Sequence, residues 1–291
     1  MPLPQGLQQT VSNALKSDIM SVSVVGGGDI SNAVLLAMAD GRQVLLKWRS
    51  GSPGGMFTAE AQGLRLLHQT QTLRIPEVFA HREATGSHPA FIAMAWLGRG
   101  SKSAEAAKAL GEGLAQMHQS TATLYGLDHD NFIGANPQSN QQAENWVDFF
   151  REQRLGVQME LAGRNAYLNQ GRAGLFDRLL QRLGDWLPPA PPASLLHGDL
   201  WGGNWLTTAS GEPALIDPAV YYGDRETDLA FTELFGGFPA SFYAAYRQTW
   251  PLDSGYEERK DLYNLYHLTN HLNLFGEGYG GSVDSVLRRF R

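Results

Sequence analysis

No cysteine occurs among the 291 residues. A disulfide framework, a thiol nucleophile and cysteine-ligated zinc or iron–sulfur centres are thereby excluded. No run approaches the roughly 18 consecutive apolar residues of a membrane span, and the opening MPLPQGLQQTVSNALKSD lacks the basic flank and apolar core of an export signal. The expectation is a soluble, cytoplasmic chain with no membrane partner. Basic charge is also short: 23 Lys and Arg stand against 29 Asp and Glu, a formal net charge of −6. Binding nucleic acid by neutralising its phosphates requires the opposite balance, so nucleic acid is not an expected partner. The eight histidines contain no HExxH motif and are read as core or surface residues.

What is present suffices for one large domain or two lobes, with 43% hydrophobic and 18% charged residues. SVSVV leads into the glycines Gly26, Gly27 and Gly28, and the runs AVLLAMA and RQVLLKW are joined by Asp40-Gly41, a hairpin signal. FTAEAQGLRLLHQT carries Ala59, Leu64 and Leu67 at nearly helical spacing, and IPEVFAHRE and AFIAMAWLG return to strand character. The pattern breaks at Gly98, which divides the chain into an N-terminal lobe, 1–97, and a C-terminal lobe, 98–291. Beyond it, Ala107, Leu110, Leu114 and Met117 form the stripe of a core-facing helix. NWVDFFREQRLGVQMELA reads as a further helix, and WLPPAPPAS as a stiff lead into a short strand or an interdomain linker.

The chemistry concentrates in LLHGDLWGGNWL and PALIDPAVYYGDRETDLA. Asp199, then Asn204 five residues on, then Asp217 each follow a short apolar run. Oxygen donors of this kind suit Mg2+, which keeps water and binds substrate phosphates. In phosphoryl transfer a loop aspartate accepts the proton of the attacking hydroxyl, while an asparagine and a later aspartate hold the metal. Glycines between two strands let backbone approach phosphate closely. Lys47, with Glu60 following at a helix start, matches a lysine held over nucleotide phosphates by an acidic partner.

These segments in order, GGGDIS, Lys47, FTAEAQGL, FIGANPQSN with WVDFFREQRL, HGDLWGGNW, IDPAVYYGDRETDLA, FGGFPASFYAAY and NHLNLFGEGY, resemble the small-molecule branch of the protein-kinase-like fold, and more closely the fructosamine kinase (ketosamine 3-kinase) family. The resemblance implies a bilobal α+β fold, with a small antiparallel sheet and one main helix in the N-lobe and a larger, mostly helical C-lobe. It also implies ATP and Mg2+ as cofactors and a small-molecule or protein-bound ketosamine as substrate. On it, Asp199 is the catalytic base and Asn204 and Asp217 the metal ligands. Gly26, Gly27, Gly28, Ser31, Lys47 and Glu60 belong to the nucleotide site, with the backbone of 94–97, including Met94 and Trp96, meeting the adenine edge. His197 organises the catalytic loop and Asp228 ties it down. Trp201 packs on a sugar face or is a core aromatic; Asn270, His271 and Asn273 line the acceptor site or form a plain polar helix face. Relatives can carry cysteine in the glycine loop where this chain has Asp29, so cysteine-based redox control is unavailable here. Fold and phosphate machinery do not fix the acceptor, which leaves kinases of aminoglycosides, choline or homoserine, or a nucleotide-binding pseudokinase scaffold, as alternatives.

Overall fold

The computed structural model describes residues 3, 4, 6–25, 31–51, 53–86 and 88–290; Gly26, Gly27, Gly28 and Asp29 lie outside them. A short helix α1 (Leu7–Leu15) precedes β1 (Ile19–Val24), β2 (Asn32–Met38), β3 (Gln43–Arg49), α2 (Met56–Gln69), β4 (Val78–Arg82) and β5 (Ala90–Ala95). The strands form one antiparallel sheet in the order β1-β2-β3-β5-β4. The expected hairpin is there: Gly41 turns with φ +88°, a conformation that glycine adopts without a Cβ clash, and the Met38 amide donates to the Arg42 carbonyl at 2.9 Å. Alternation along β2 and β3 sends Val34, Leu36, Val44, Leu46 and Trp48 to the face covered by α1. Ile92, Met94 and Leu45 join the opposite core, with Phe57, Ala61 and Leu64 of α2. Burying two faces with one helix each is what lets so small a sheet hold its shape.

The remainder is α3 (Ala104–His118), β6 (Thr121–Ala122), β7 (Asn131–Ile133), β8 (Asn136–Gln138), α4 (Trp146–Phe149), α5 (Val157–Arg164), α6 (Gln170–Arg182), β9 (Ala193–Leu196), β10 (Trp205–Thr207), β11 (Pro213–Leu215), β12 (Tyr221–Gly223), α7 (Glu226–Leu234), α8 (Ala240–Thr249), α9 (Tyr256–Phe275) and α10 (Gly280–Arg289). The architecture is α+β, a five-stranded sheet followed by a mostly helical region, and residue 98 falls in the irregular stretch between β5 and α3. Ser103 caps α3 by accepting from the Ala106 amide at 3.1 Å, and the predicted stripe Ala107, Leu110, Leu114 and Met117 is fully buried.

Two expectations need refinement. The helix predicted over NWVDFFREQRLGVQMELA is interrupted: a π-helical segment, Phe150–Gly156, joins α4 to α5. The segment carries Arg154, fully buried, with Nη2 donating to Asn140 Oδ1 at 2.8 Å and its guanidinium 3.8 Å from the Tyr221 ring centre. WLPPAPPAS is no free linker, because Pro189 accepts from the Trp146 amide at 3.0 Å and Pro191 from the Tyr125 hydroxyl at 2.5 Å, so the stretch is pinned as it enters β9.

Candidate active site

Strand β9, buried along its whole length between β6 and β12, delivers His197, Gly198 and Asp199 to one end of the C-terminal core. Gly198 sits at φ +80°, and a Cβ there would meet the Ala219 carbonyl oxygen at 2.0 Å, so only glycine fits. Asp228, in the first turn of α7, accepts from the His197 amide at 2.7 Å and the Gly198 amide at 2.9 Å. Burial pushes the Asp228 carboxyl up, but the hydrogen bond and charge interaction with His118, the charge interaction with His197 and the bond from the Gly198 amide outweigh it, and its pKa lies below the ordinary value. The His197 ring bridges two loops: Nε2 contacts the Ile216 carbonyl at 2.9 Å, and Nδ1 accepts from the Asp199 amide at 3.3 Å. Burial holds its pKa down, so the imidazole is neutral at pH 7.

The loop after Asp199 closes on itself through Asn204, whose Nδ2 donates to the Asp199 carbonyl at 2.8 Å and carboxylate at 3.0 Å. That leaves Asn204 Oδ1 as a donor atom for a cation. Asp217 follows β11 in the left-handed region, φ +56°, and its carboxylate pairs with Lys47. The Lys47 ammonium, on β3, lies 2.9 Å from Glu60 of α2. Burial lowers the Lys47 pKa and its two carboxylate partners raise it by more, so the lysine stays charged. The Asp199 carboxyl is raised to about 7, chiefly by burial and then by the charge of Asp217, against the opposing hydrogen bond from Asn204.

Two carboxylates, Glu60 and Asp217, thus flank one ammonium, and the Asp199 carboxyl stands near enough to Asp217 to feel its charge, so positive charge is locally in deficit. A divalent cation held by hard oxygen atoms fits that deficit. Among the described residues no three acidic or histidine side chains converge as a ready-made metal cage.

These groups line a cavity of about 890 Å³ that also takes in Ser31, Met94, Trp96, Trp201, Asn270 and His271. Apolar walls come from Ala33 and Leu45 of the five-stranded sheet and, from the β10–β11 region, Leu206 and Ile216. The backbone of 94–97 departs in part from expectation: the Ala95 and Trp96 amides are already committed to the Glu77 and Gln43 carbonyls, at 2.8 and 3.1 Å, because sheet hydrogen bonding continues past β5. At the other end Trp201 is 42% exposed, which rules out the core-aromatic alternative. Asn270 is buried, with Oδ1 accepting from Asn136 at 2.9 Å. Asn273 is not in the cavity lining; its Nδ2 donates to the Gln158 side chain at 2.8 Å and ties α9 to α5.

Sequence reasoning missed the aromatic wall around His271. Phe235, Phe275 and Tyr279 have ring centres 5.1, 5.5 and 5.1 Å from the His271 ring, and all four line the cavity. Phe235 and Phe275 are 46% and 54% exposed, so every large aromatic exposed among the described residues, Trp201 included, faces this space. Sequence reasoning also passed over His267 and His271 as a pair four residues apart. They do not form a metal pair: His271 Nδ1 donates to the His267 carbonyl at 2.7 Å, and the His267 ring stacks on Phe231 at 3.6 Å. Burial lowers both pKa values.

Among the described residues no helix is long and apolar enough to cross a membrane. A search of solved structures finds the same fold in spectinomycin phosphotransferase bound to ADP and spectinomycin, with TM-score 0.60 and 15% identity over 100% of this chain and 94% of the other. A crystal structure of a fructosamine-3-kinase-like protein from Thermobifida fusca superposes with TM-score 0.88 and 28% identity over 99% of both chains. Among curated sequences, the probable ketoamine kinase of Synechocystis sp. is 40% identical over 99% of this chain and 95% of its own length. The chloroplastic protein-ribulosamine 3-kinase of Arabidopsis thaliana is 37% identical over 93% and 82% respectively. The fructosamine kinase family profile matches residues 4–290, and with relatives this similar over nearly the full length, the chain belongs to the fructosamine kinase family.

Proposed function

We propose that the protein transfers the γ-phosphoryl group of ATP, with Mg2+, to the 3-hydroxyl of a ketosamine, the adduct of a reducing sugar with an amine. The observation that carries this reading is the meeting of Lys47–Glu60, Asp199, Asn204 and Asp217 in one cavity, with an uncharged aromatic wall at its far end. The names of the ketoamine and ribulosamine kinase relatives support the choice of acceptor.

When bound, ATP would supply the phosphoryl group and Mg2+ would neutralise charge on it. Lys47, held by Glu60, would meet phosphate oxygens, and Asp217 and Asn204 would hold the metal. The apolar walls accept the nucleobase. Asp199, its proton affinity raised close to neutrality, orients the sugar hydroxyl and takes its proton as the oxygen attacks in line. His197 and Asp228 act on the loop backbone and hold Asp199 in register. Trp201 offers its exposed face to the sugar ring. His271 keeps its proton on Nδ1 for the His267 carbonyl, so Nε2 is left as an acceptor for a substrate hydroxyl or ammonium.

A ketosamine carries its carbonyl at carbon 2, so a phosphate at carbon 3 becomes a leaving group next to an activated position. Loss of a carbon 1 proton gives the enaminol, whose electrons break the C3–O bond and expel inorganic phosphate; water then hydrolyses the resulting imine, releasing the amine and a 3-deoxy dicarbonyl sugar without further enzyme, which makes the enzyme a deglycating kinase. The test is ADP formation with synthetic ketosamines against choline, homoserine and an aminoglycoside. The reading expects turnover with ketosamines; turnover confined to the other alcohols rejects it.

A further inference from the structure

Helix α2 carries Glu60, yet supplies almost nothing to fix its own start. Its N-cap is Gly55 at φ +86° with no side-chain cap, and no acidic residue lies in its first turn. Glu83, immediately after β4, provides both. Its Oε2 accepts from the Gly55 amide at 2.8 Å, and its Oε1 accepts from the Thr58 amide at 3.2 Å and the Thr58 hydroxyl at 2.6 Å. The Thr58 hydroxyl also lies 3.4 Å from His81 Nδ1. One carboxylate thus satisfies two open helix amides with negative charge at the positive end of the helix.

The sheet register explains why this matters for Glu60. Lys47 on β3 pairs with Ile92 on β5, and Ile92 pairs with His81 on β4, so Lys47 and His81 stand in one rank on the sheet face that α2 covers. The helix is therefore fastened at two points of that face: Thr58 to β4 through Glu83 and His81, and Glu60 to β3 through Lys47. Only Ala59 separates the fastenings along α2, so a shift at the first is transmitted directly to the second.

We propose that Glu83, acting through Thr58, is a positioning residue for the nucleotide site: it sets the position of α2 at which Glu60 reaches Lys47. The proposal rests on the reading of Lys47–Glu60 as the phosphate-binding pair, and its test separates the two. KM for ATP, kcat and melting temperature are measured for Glu60→Gln, Glu83→Gln, the double variant, Thr58→Val and Thr58→Ser. Glu60→Gln should raise KM for ATP about tenfold, and Glu83→Gln and Thr58→Val about three- to tenfold, with a smaller change in kcat. Thr58→Ser keeps the hydroxyl and should retain the original KM. In the double variant KM should stay within about twofold of that of Glu60→Gln alone, since both changes break one coupled arrangement.

Multiplying KM effects in the double variant, or a lowered melting temperature with KM unchanged, would make Glu83 a helix cap only and overturn the proposal. If Glu83→Gln does not fold, an unchanged KM in Thr58→Val overturns it equally. An unchanged KM in Glu60→Gln itself removes the phosphate-site reading, and the proposal with it.

Discussion

Replacing Asp199 with Asn separates chemistry from binding and from stability in one variant. The carboxyl is raised from 3.8 to about 7 by burial and by Asp217, which places it where a general base works best near neutral pH. The amide keeps the shape and a hydrogen-bond acceptor for Asn204, and leaves Asp217 and Lys47 in place. Turnover should therefore fall about 10²- to 10⁴-fold while nucleotide affinity changes little. Stability should move the other way. A carboxyl whose pKa is raised on folding binds its proton more tightly in the native state, so its presence costs stability progressively as pH climbs from 3.8 toward 7. The shift of about three units caps that cost at about 4 kcal/mol, less whatever cavity water screens. Melting curves of the nucleotide-free protein should coincide near pH 4 and diverge by pH 7.5, with Asp199→Asn the more stable. Steady-state kinetics, nucleotide titration and the melting series together are the assay. Near-normal turnover in the variant, or a wild-type protein that gains on it as pH rises, would refute the reasoning.

Asn204→Ala and Asp217→Ala should each raise the Mg2+ concentration needed for half-maximal rate, with excess Mg2+ rescuing Asn204→Ala further because it loses a neutral ligand rather than a charged one; a magnesium titration reads this directly. Asp228→Ala leaves the buried His197 and Gly198 amides unpaired and should cost about 3–5 kcal/mol in denaturant unfolding at pH 7. Because the Asp228 pKa is lowered on folding, the part of that stabilisation tied to its ionisation is present above about pH 4 and is lost as acid protonates the carboxylate. Trp201→Ala should raise KM for the ketosamine about tenfold and leave KM for ATP alone, as steady-state kinetics with each substrate varied will tell.

The clustering of Asp199, Asn204 and Asp217 was legible because they lie within one short stretch, spaced so that a single turn and one hairpin bring them together. Lys47 and Glu60 were legible for a related reason, since one strand and the helix that follows it carry both. The aromatic wall was not read, although His271, Phe275 and Tyr279 recur at steps of four along α9 and the turn after it, because Phe235 comes from the end of α7 and no sequence pattern links it to them. Asn273 looked like a neighbour of Asn270 in the cavity, but a partner on α5 claims its amide, and Gln158 carries no sequence signal of that contact. The π-helical segment around Arg154 escaped for a similar reason: its hydrophobic spacing reads as ordinary helix, and the extra residue in the turn is justified only by the buried partners Asn140 and Tyr221. The Trp96 amide belongs to the same class, spent on a strand that only the three-dimensional sheet brings alongside.

The central claim is phosphoryl transfer from ATP to carbon 3 of a ketosamine, and time-resolved phosphorus NMR correlated to the sugar protons reads it most directly. After incubation with Mg-ATP and a ketosamine, and removal of the protein, the account predicts one new phosphate ester coupled to the proton on carbon 3. Its signal should then decay into inorganic phosphate as free amine appears. A stable ester, or phosphorus coupled to the protons of a terminal carbon, would contradict it.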